Sequence, residues 1–190
     1  MKYIKSNIGF IISGTLLAII ALHPGAKSFV LEGLIKTGLY NPDFVEVSAK
    51  HAAKAPSAVF RSSKGEQINV AASKGKVIFL NFWAEWCPPC LAEMPSIHNL
   101  AQHFKNEKDL VFLLANVDGD LQSSQRFFEK NKYGLAVFVP DGSIPKQLFQ
   151  GSLPTTIIVN KNGEIAYFHE GIADYGSTET KVFIQTLLSK

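Results

Sequence analysis

The chain has 190 residues, 46% apolar and 18% charged, enough for one globular domain plus an additional segment and too apolar for a disordered chain. Its net charge of +3 comes from the start of the chain, where Lys2, Lys5, Lys27, Lys36, Lys50 and Lys54 outnumber Glu32, Asp43 and Glu46. Basic and acidic residues balance from there on, so nothing draws the domain to a phosphate backbone and no nucleic-acid partner is expected. Only two cysteines occur, Cys87 and Cys90, which excludes a disulfide-rich scaffold and a four-cysteine zinc site.

Residues 1–7 carry Lys2 and Lys5 ahead of residues 8–22, a run without charge. A spanning helix wants about 20 apolar residues, and about 17 is the usual lower limit. The run is therefore predicted as a short transmembrane signal-anchor helped by snorkelling lysines. A cleaved secretory signal has the same basic start and apolar length, but cleavage after Ala26 would place Pro24 where a small side chain is wanted. The lysines before the apolar run keep residues 1–7 in the cytoplasm and send the rest outward. The expected location is thus a single pass through a cell inner membrane, with the domain in the periplasm or another extracytoplasmic space.

Residues 27–39 have Val30, Leu31, Leu34 and Ile35 at helical spacings and end at Asn41-Pro42, which predicts a short amphipathic helix beside the membrane. The Ala- and Lys-rich residues 45–56 have few core anchors and read as a linker, so residues 23–55 form a juxtamembrane segment and the domain occupies 56–190. A small hairpin is predicted from residues 58–60 and 67–70 around Lys64-Gly65. Residues 77–83 are a continuous apolar strand buried on both faces, followed by a helix at 88–104. A strand at 110–117, a helix at 121–131 and a strand at 135–139 continue a βαβαβ pattern. Residues 155–159 and 164–168 flank Lys161-Asn162-Gly163 and form an antiparallel hairpin. An amphipathic helix over 177–188 closes the chain.

The chemistry lies in Cys87-Pro88-Pro89-Cys90, where the buried strand gives way to a helix. Unpaired N–H groups and partial positive charge at a helix N-terminus stabilise a thiolate at Cys87, the attacking species. Two intervening residues bring the sulfurs within bonding distance, so Cys90 can resolve a mixed disulfide formed at Cys87. Prolines in the first turn of a helix forfeit no hydrogen bond and stiffen the loop. A purely structural disulfide closing so short a loop gains little entropy. A metal site formed with His98 and His103 is the other reading of the pair, but the two histidines are five residues apart, about 140° around a helix.

The stretch Asn81-Phe82-Trp83-Ala84-Glu85-Trp86-Cys87-Pro88-Pro89-Cys90 resembles the active site of thioredoxin-superfamily proteins. Pro95 matches the proline that kinks their active-site helix, and Leu153-Pro154-Thr155-Thr156 matches their cis-proline loop. The resemblance covers residues 56–190 and implies an α/β fold: a thioredoxin-like mixed sheet flanked by helices, here with an extra N-terminal β-hairpin. Within the superfamily the chain is similar to the membrane-anchored TlpA-like branch, which includes thiol reductases of cytochrome c biogenesis. Asn81 stands where cytosolic thioredoxins have a buried aspartate, and Leu114 falls near their buried lysine. Glu93 lies three residues after Cys90, so its carboxyl can face the buried sulfur and handle its proton. The resemblance further implies that the loop of Leu153 and Pro154 receives substrate backbone. Trp86, next to the nucleophile, is the better substrate-contacting tryptophan, with Trp83 the alternative.

The expected activity is that of a protein-disulfide oxidoreductase reducing disulfides in exported proteins, apocytochrome c among the conceivable clients. Cys87 and Cys90 form its redox-active disulfide, with Cys87, Cys90 and Glu93 as catalytic residues and Trp86, Leu153 and Pro154 binding substrate. The resemblance implies a membrane electron-transfer protein as reductant. A monomer without cofactor or resident metal is expected. Two other readings stay open: a soft-metal or metallochaperone module using the cysteine pair, and a disulfide-donating oxidase, which shares the same active site.

Overall fold

The continuous apolar run at 77–83 becomes the centre of the molecule. A computed structural model describes residues 8–22, 24–44 and 53–190; residues 1–7 and most of the predicted linker, 45–52, lie outside the described residues. Strand β3 (Val77–Trp83) is buried along its whole length. It pairs in parallel with β4 (Leu110–Asn116) and antiparallel with β6 (Thr155–Val159). β5 (Val137–Pro140) continues the parallel side, and β7 (Ile165–Glu170) continues the antiparallel side. The predicted N-terminal hairpin, β1 (Val59–Ser62) and β2 (Gln67–Asn69), adds to the β5 edge, giving a seven-stranded mixed sheet in the order β2-β1-β5-β4-β3-β6-β7.

Helices α1 (Ile8–Leu22) and α2 (Pro24–Leu34) precede the sheet. Helix α3 (Pro88–His103) follows β3, α4 (Leu121–Lys130) joins β4 to β5, and α5 (Thr178–Ser189) ends the chain. Alternation along β3 decides which residues meet the helices. Val77, Phe79 and Trp83 enter a cluster with Met94, Ile97 and Leu100 of α3, Phe128 of α4 and Ile184 of α5. Ile78, Leu80 and Phe82 enter a second cluster closed by Val70, Leu148 and Phe149, residues outside these helices. Asn81, of the same parity as Phe79 and Trp83, is thereby turned toward α3.

The hairpin turn at Lys161-Asn162-Gly163 forms as the Asn-Gly signal predicts, with Gly163 at φ 78° and its amide donating to the carbonyl of Asn160. The Asp120 carboxylate caps α4 by accepting the Ser123 amide at 2.9 Å. Asp120→Ala should therefore lower stability by about 1 kcal/mol, as loss of an N-cap does, measured from the denaturant midpoint with unchanged slope.

Helix α1 covers the predicted apolar run at residues 8–22. No helix among the described residues is long and apolar enough to cross a membrane; the 15 residues of α1 reach about 22 Å at 1.5 Å per residue, short of the roughly 30 Å of a bilayer core. Helix α2 packs along α3, and the chain then makes one turn of π-helix, Ile35–Leu39, that buries Ile35. The Asp174 amide donates to the carbonyl of Tyr40 at 2.8 Å, and Phe44 stacks on Phe183 with ring centroids 4.4 Å apart. Ahead of Pro56, Lys54 bridges to Glu164 with a 3.1 Å ion pair.

Candidate active site

Helix α3 begins where β3 ends because Pro88 and Pro89 occupy its first turn and Cys87 stands at its N-cap. Cys87 Sγ accepts the Cys90 amide at 3.3 Å, and the two cysteines are joined in a disulfide with Cα atoms 5.3 Å apart. Cys87 is 4% exposed and Cys90 wholly buried, so an incoming thiol or disulfide meets Cys87 first. The Leu153-Pro154 peptide bond is cis, as the resemblance implied; Pro154 is buried and Leu153 half-buried at the start of β6.

Glu93 is fully buried one turn beyond Cys90. Asn81 Nδ2 donates to its Oε1 at 2.7 Å and also to Thr156 Oγ1 at 2.9 Å. The Ala173 amide reaches Oε2 at 3.4 Å. Burial pushes the Glu93 carboxyl up to about 8, against these two donors, which favour its charged form. Leu114, 0% exposed, faces Asn81 in the β3–β4 register, so the partner strand supplies an apolar side chain at that level. Tyr167 and Tyr175 lie close enough for the Glu93 charge to join burial in raising both phenols above their ordinary range. The cluster can hold a proton on the carboxyl near neutral pH and take up or release it as the neighbouring sulfur reacts.

The two tryptophans separate. Trp83 is buried against Phe127 and Phe128, whereas Trp86 is 63% exposed beside Cys87, with its indole N–H donating to Asp118 Oδ2 at 2.9 Å. Asp118 is itself held by its amide on Asn116 Oδ1 at 2.8 Å. The hydrogen bond thus keeps an apolar ring fixed at the surface next to Cys87.

His98 Nδ1 contacts the carbonyl of Tyr133 at 2.6 Å, and His103 lies edge-on to Phe104 at the end of α3. Among the described residues no group of three His, Cys, Asp or Glu side chains could hold a metal ion.

Sequence reasoning named Asn81 only as a departure from the thioredoxin pattern and did not foresee its bond to Glu93. It also missed Asp118, Ala173 and the phenols. Glu85 accepts from the Ser123 and Ser124 hydroxyls at 2.9 and 3.3 Å, a tertiary contact between residues far apart in the chain that carries no local sequence signal.

A cysteine pair joined at the head of a helix, together with a cis-proline ahead of β6 on a thioredoxin-like sheet, defines a protein-disulfide oxidoreductase. The redoxin family model matches residues 50–182, and the chain belongs to that family. It is similar to the thiol-disulfide oxidoreductase ResA of Halalkalibacterium halodurans, 32% identical over 135 residues, covering 70% of this chain and 74% of that one. ResA of Bacillus subtilis is 32% identical over 131 residues, covering 67% and 72%. The thioredoxin-like fold recurs in the crystal structure of a thioredoxin-family thiol:disulfide interchange protein from Chlorobium tepidum, at TM-score 0.58, 20% identity and coverage of 72% and 97%. The TlpA-like resemblance is thereby borne out.

Proposed function

We propose that the chain is a membrane-tethered, extracytoplasmic reductant of disulfides in exported proteins, acting through the Cys87–Cys90 dithiol. Cys87 thiolate attacks a substrate disulfide, forming a Cys87–substrate disulfide and releasing the first substrate sulfur as thiolate. Cys90 then gives its proton to the Glu93 carboxylate and attacks Cys87 Sγ, closing the Cys87–Cys90 bond and releasing the second sulfur. Two electrons pass to the substrate, and the oxidised pair is reset by a dithiol donor. A membrane electron-transfer protein suits that role, since an oxidising compartment does not supply reductant. Trp86 and the Leu153–Pro154 loop line the approach to Cys87 and receive the polypeptide. Exported chains with cysteine pairs, apocytochrome c for instance, fit this chemistry.

One observation carries the direction of electron flow. Pro88 and Pro89 occupy the first two positions of α3 and have no N–H to offer, which leaves the Cys90 amide as the donor found on Cys87 Sγ. If that single backbone donor is all that meets the sulfur once the pair is reduced, the reduced form gains little of the stabilisation that makes a strong oxidant. The couple should therefore lie near the thioredoxin value of about −270 mV, measured by equilibrating the purified chain with thiol buffers; a value near about −120 mV would make it a disulfide donor instead.

The tether is supported by α1, whose apolar side chains Phe10, Ile12, Leu17 and Leu22 are all exposed. It is supported too by Phe29, Val30 and Leu34, which turn outward on α2 while Ile35, just beyond, is buried. Apolar residues facing outward on two successive helices suit a lipid surface better than water. The flanking residues Lys2 and Lys5 orient the segment with the domain outside.

A further inference from the structure

The loop between β7 and α5, residues 171–176, is hydrogen-bonded to the cis-proline loop, to Glu93 and to α3. Its Gly171 amide donates to the carbonyl of Pro154 at 2.8 Å, its Ala173 amide reaches Glu93 Oε2 at 3.4 Å, and its Tyr175 amide donates to Ser96 Oγ at 3.1 Å. Ser96 in turn donates to the carbonyl of Glu93 at 2.7 Å. The same loop is fastened from outside by the N-terminal arm, residues 24–44, through the bond from the Asp174 amide to the Tyr40 carbonyl. Phe44 caps Tyr167, with centroids 4.6 Å apart, and Tyr167 is one of the two phenols that feel the Glu93 charge. Ile35 is buried where the arm crosses Ala92, Pro95 and Ser96 of α3. The arm therefore contacts the wall of the Glu93 chamber at three separate places.

We infer that this arm is a positioning element for Glu93: docked on the 171–176 loop, on Tyr167 and on α3, it keeps water from the carboxyl and so sets the pH at which Cys90 can give up its proton. The inference rests on the reading of Glu93 as proton acceptor for Cys90. It adds that the segment joining the apolar helix α1 to the domain is mechanically part of the proton chemistry. Whatever displaces α2 from α3 acts on the resolving step.

The groups facing Glu93 leave hydration as the variable. Asn81 and Thr156 from the sheet are neutral, and Tyr167 and Tyr175 keep their protons through the neutral range. Cys90 shares the helix. His169 stacks on Tyr167 at 6.1 Å, Asp43 of the arm acts on Tyr167, and Asp174 turns its carboxylate to the Gly176 amide at 2.9 Å. Releasing the arm loosens the Ala173 amide, which by itself would raise the carboxyl further, and admits water, which lowers it. Burial is the largest cause of the elevation, so hydration prevails and the proton affinity falls.

The test uses the reduced full chain in detergent micelles mixed with 5,5′-dithiobis(2-nitrobenzoate), where the second release of chromophore reports the attack of Cys90 on the mixed disulfide at Cys87. In the parent the rate of that phase should change with a midpoint near 8, set by Glu93. The pair of changes Ile35→Ser and Phe44→Ala should move the midpoint down by about one pH unit or more, a tenfold loss of proton affinity. Phe44→Tyr in the place of Phe44→Ala, with Ile35 retained, should restore it. Leu148→Ala opens the core on the far face of the sheet and, at a matched loss of stability, should leave the midpoint at the parental value. Hydrogen exchange over residues 24–44 shows whether the arm has come away. A midpoint that stays parental with the arm released, or an arm that stays protected in the double variant, overturns the inference. A parental profile that Glu93→Gln leaves unchanged overturns instead the proton-acceptor reading beneath it.

Discussion

Cys87→Ser should reduce insulin disulfides no faster than buffer with the same reductant, while Cys90→Ser should still react once and then stall as a mixed disulfide with its substrate. The asymmetry follows from burial. Of the pair only Cys87 is exposed, at 4%, and its Sγ stands at the N-cap accepting the Cys90 amide. Cys90 is enclosed, so it meets a disulfide only after Cys87 has brought one in. Removing the nucleophile therefore abolishes both half-reactions, and removing the resolving sulfur abolishes the second alone. The trapped species should be visible as a covalent adduct on non-reducing gels and should vanish with excess dithiothreitol. Equal turnover by Cys87→Ser and the parent would remove the basis for the mechanism. Adducts on Cys87→Ser in place of Cys90→Ser would reverse the two roles.

Residue types and spacing made this much of the site legible. Two cysteines with prolines between them, at the end of a run apolar on both faces, can hardly be placed anywhere but a strand–helix junction, and β3 and α3 meet there. The Asn-Gly signal placed the β6–β7 hairpin for the same reason: few sequences tolerate its turn. What surrounds the carboxyl was less legible. Glu93 could be picked out by its distance from Cys90, but its partner Asn81 is twelve residues away on another element. That contact exists because the parity of β3 turns Asn81 toward α3, which depends on tertiary packing as well as local pattern. Ala173 contributes through its backbone amide, a group every non-proline residue has, so no side-chain signal marks it. Ile35 is one of several apolar residues at helical spacings and Phe44 stands alone after Asn41-Pro42, and neither periodicity nor composition distinguishes a residue that docks from one that does not. The apolar run at residues 8–22 coincides with α1, whose 15 residues fall below the usual length of a span, as the length of the run in the sequence already implied.

Glu93→Gln should slow the resolving step by about 10²-fold, the lower end of what a positioned acid–base group contributes, and should abolish the midpoint near 8 in its pH profile. The same substitution has a second signature in stability. A carboxyl that ionises near its ordinary 4.5 in the unfolded chain and near 8 in the fold binds one proton more in the native state between those values. Stability then falls as pH rises through that interval, by up to about 1.4 kcal/mol per pH unit, and the favourable contribution is complete below 4.5 and lost above 8. Glutamine has no proton to lose. Denaturant unfolding of the oxidised protein at intervals from pH 4.5 to 8 should show the decline in the parent and a much flatter line in Glu93→Gln, with the variant the more stable at the alkaline end. Asn81→Ala provides the complementary test: it deletes the 2.7 Å donor that favours the charged carboxyl, so the midpoint should move upward from 8. Opposite displacements from Asn81→Ala and from release of the arm would separate the two means by which this fold controls one buried proton, a hydrogen bond that favours the charge and a wall that excludes its solvent.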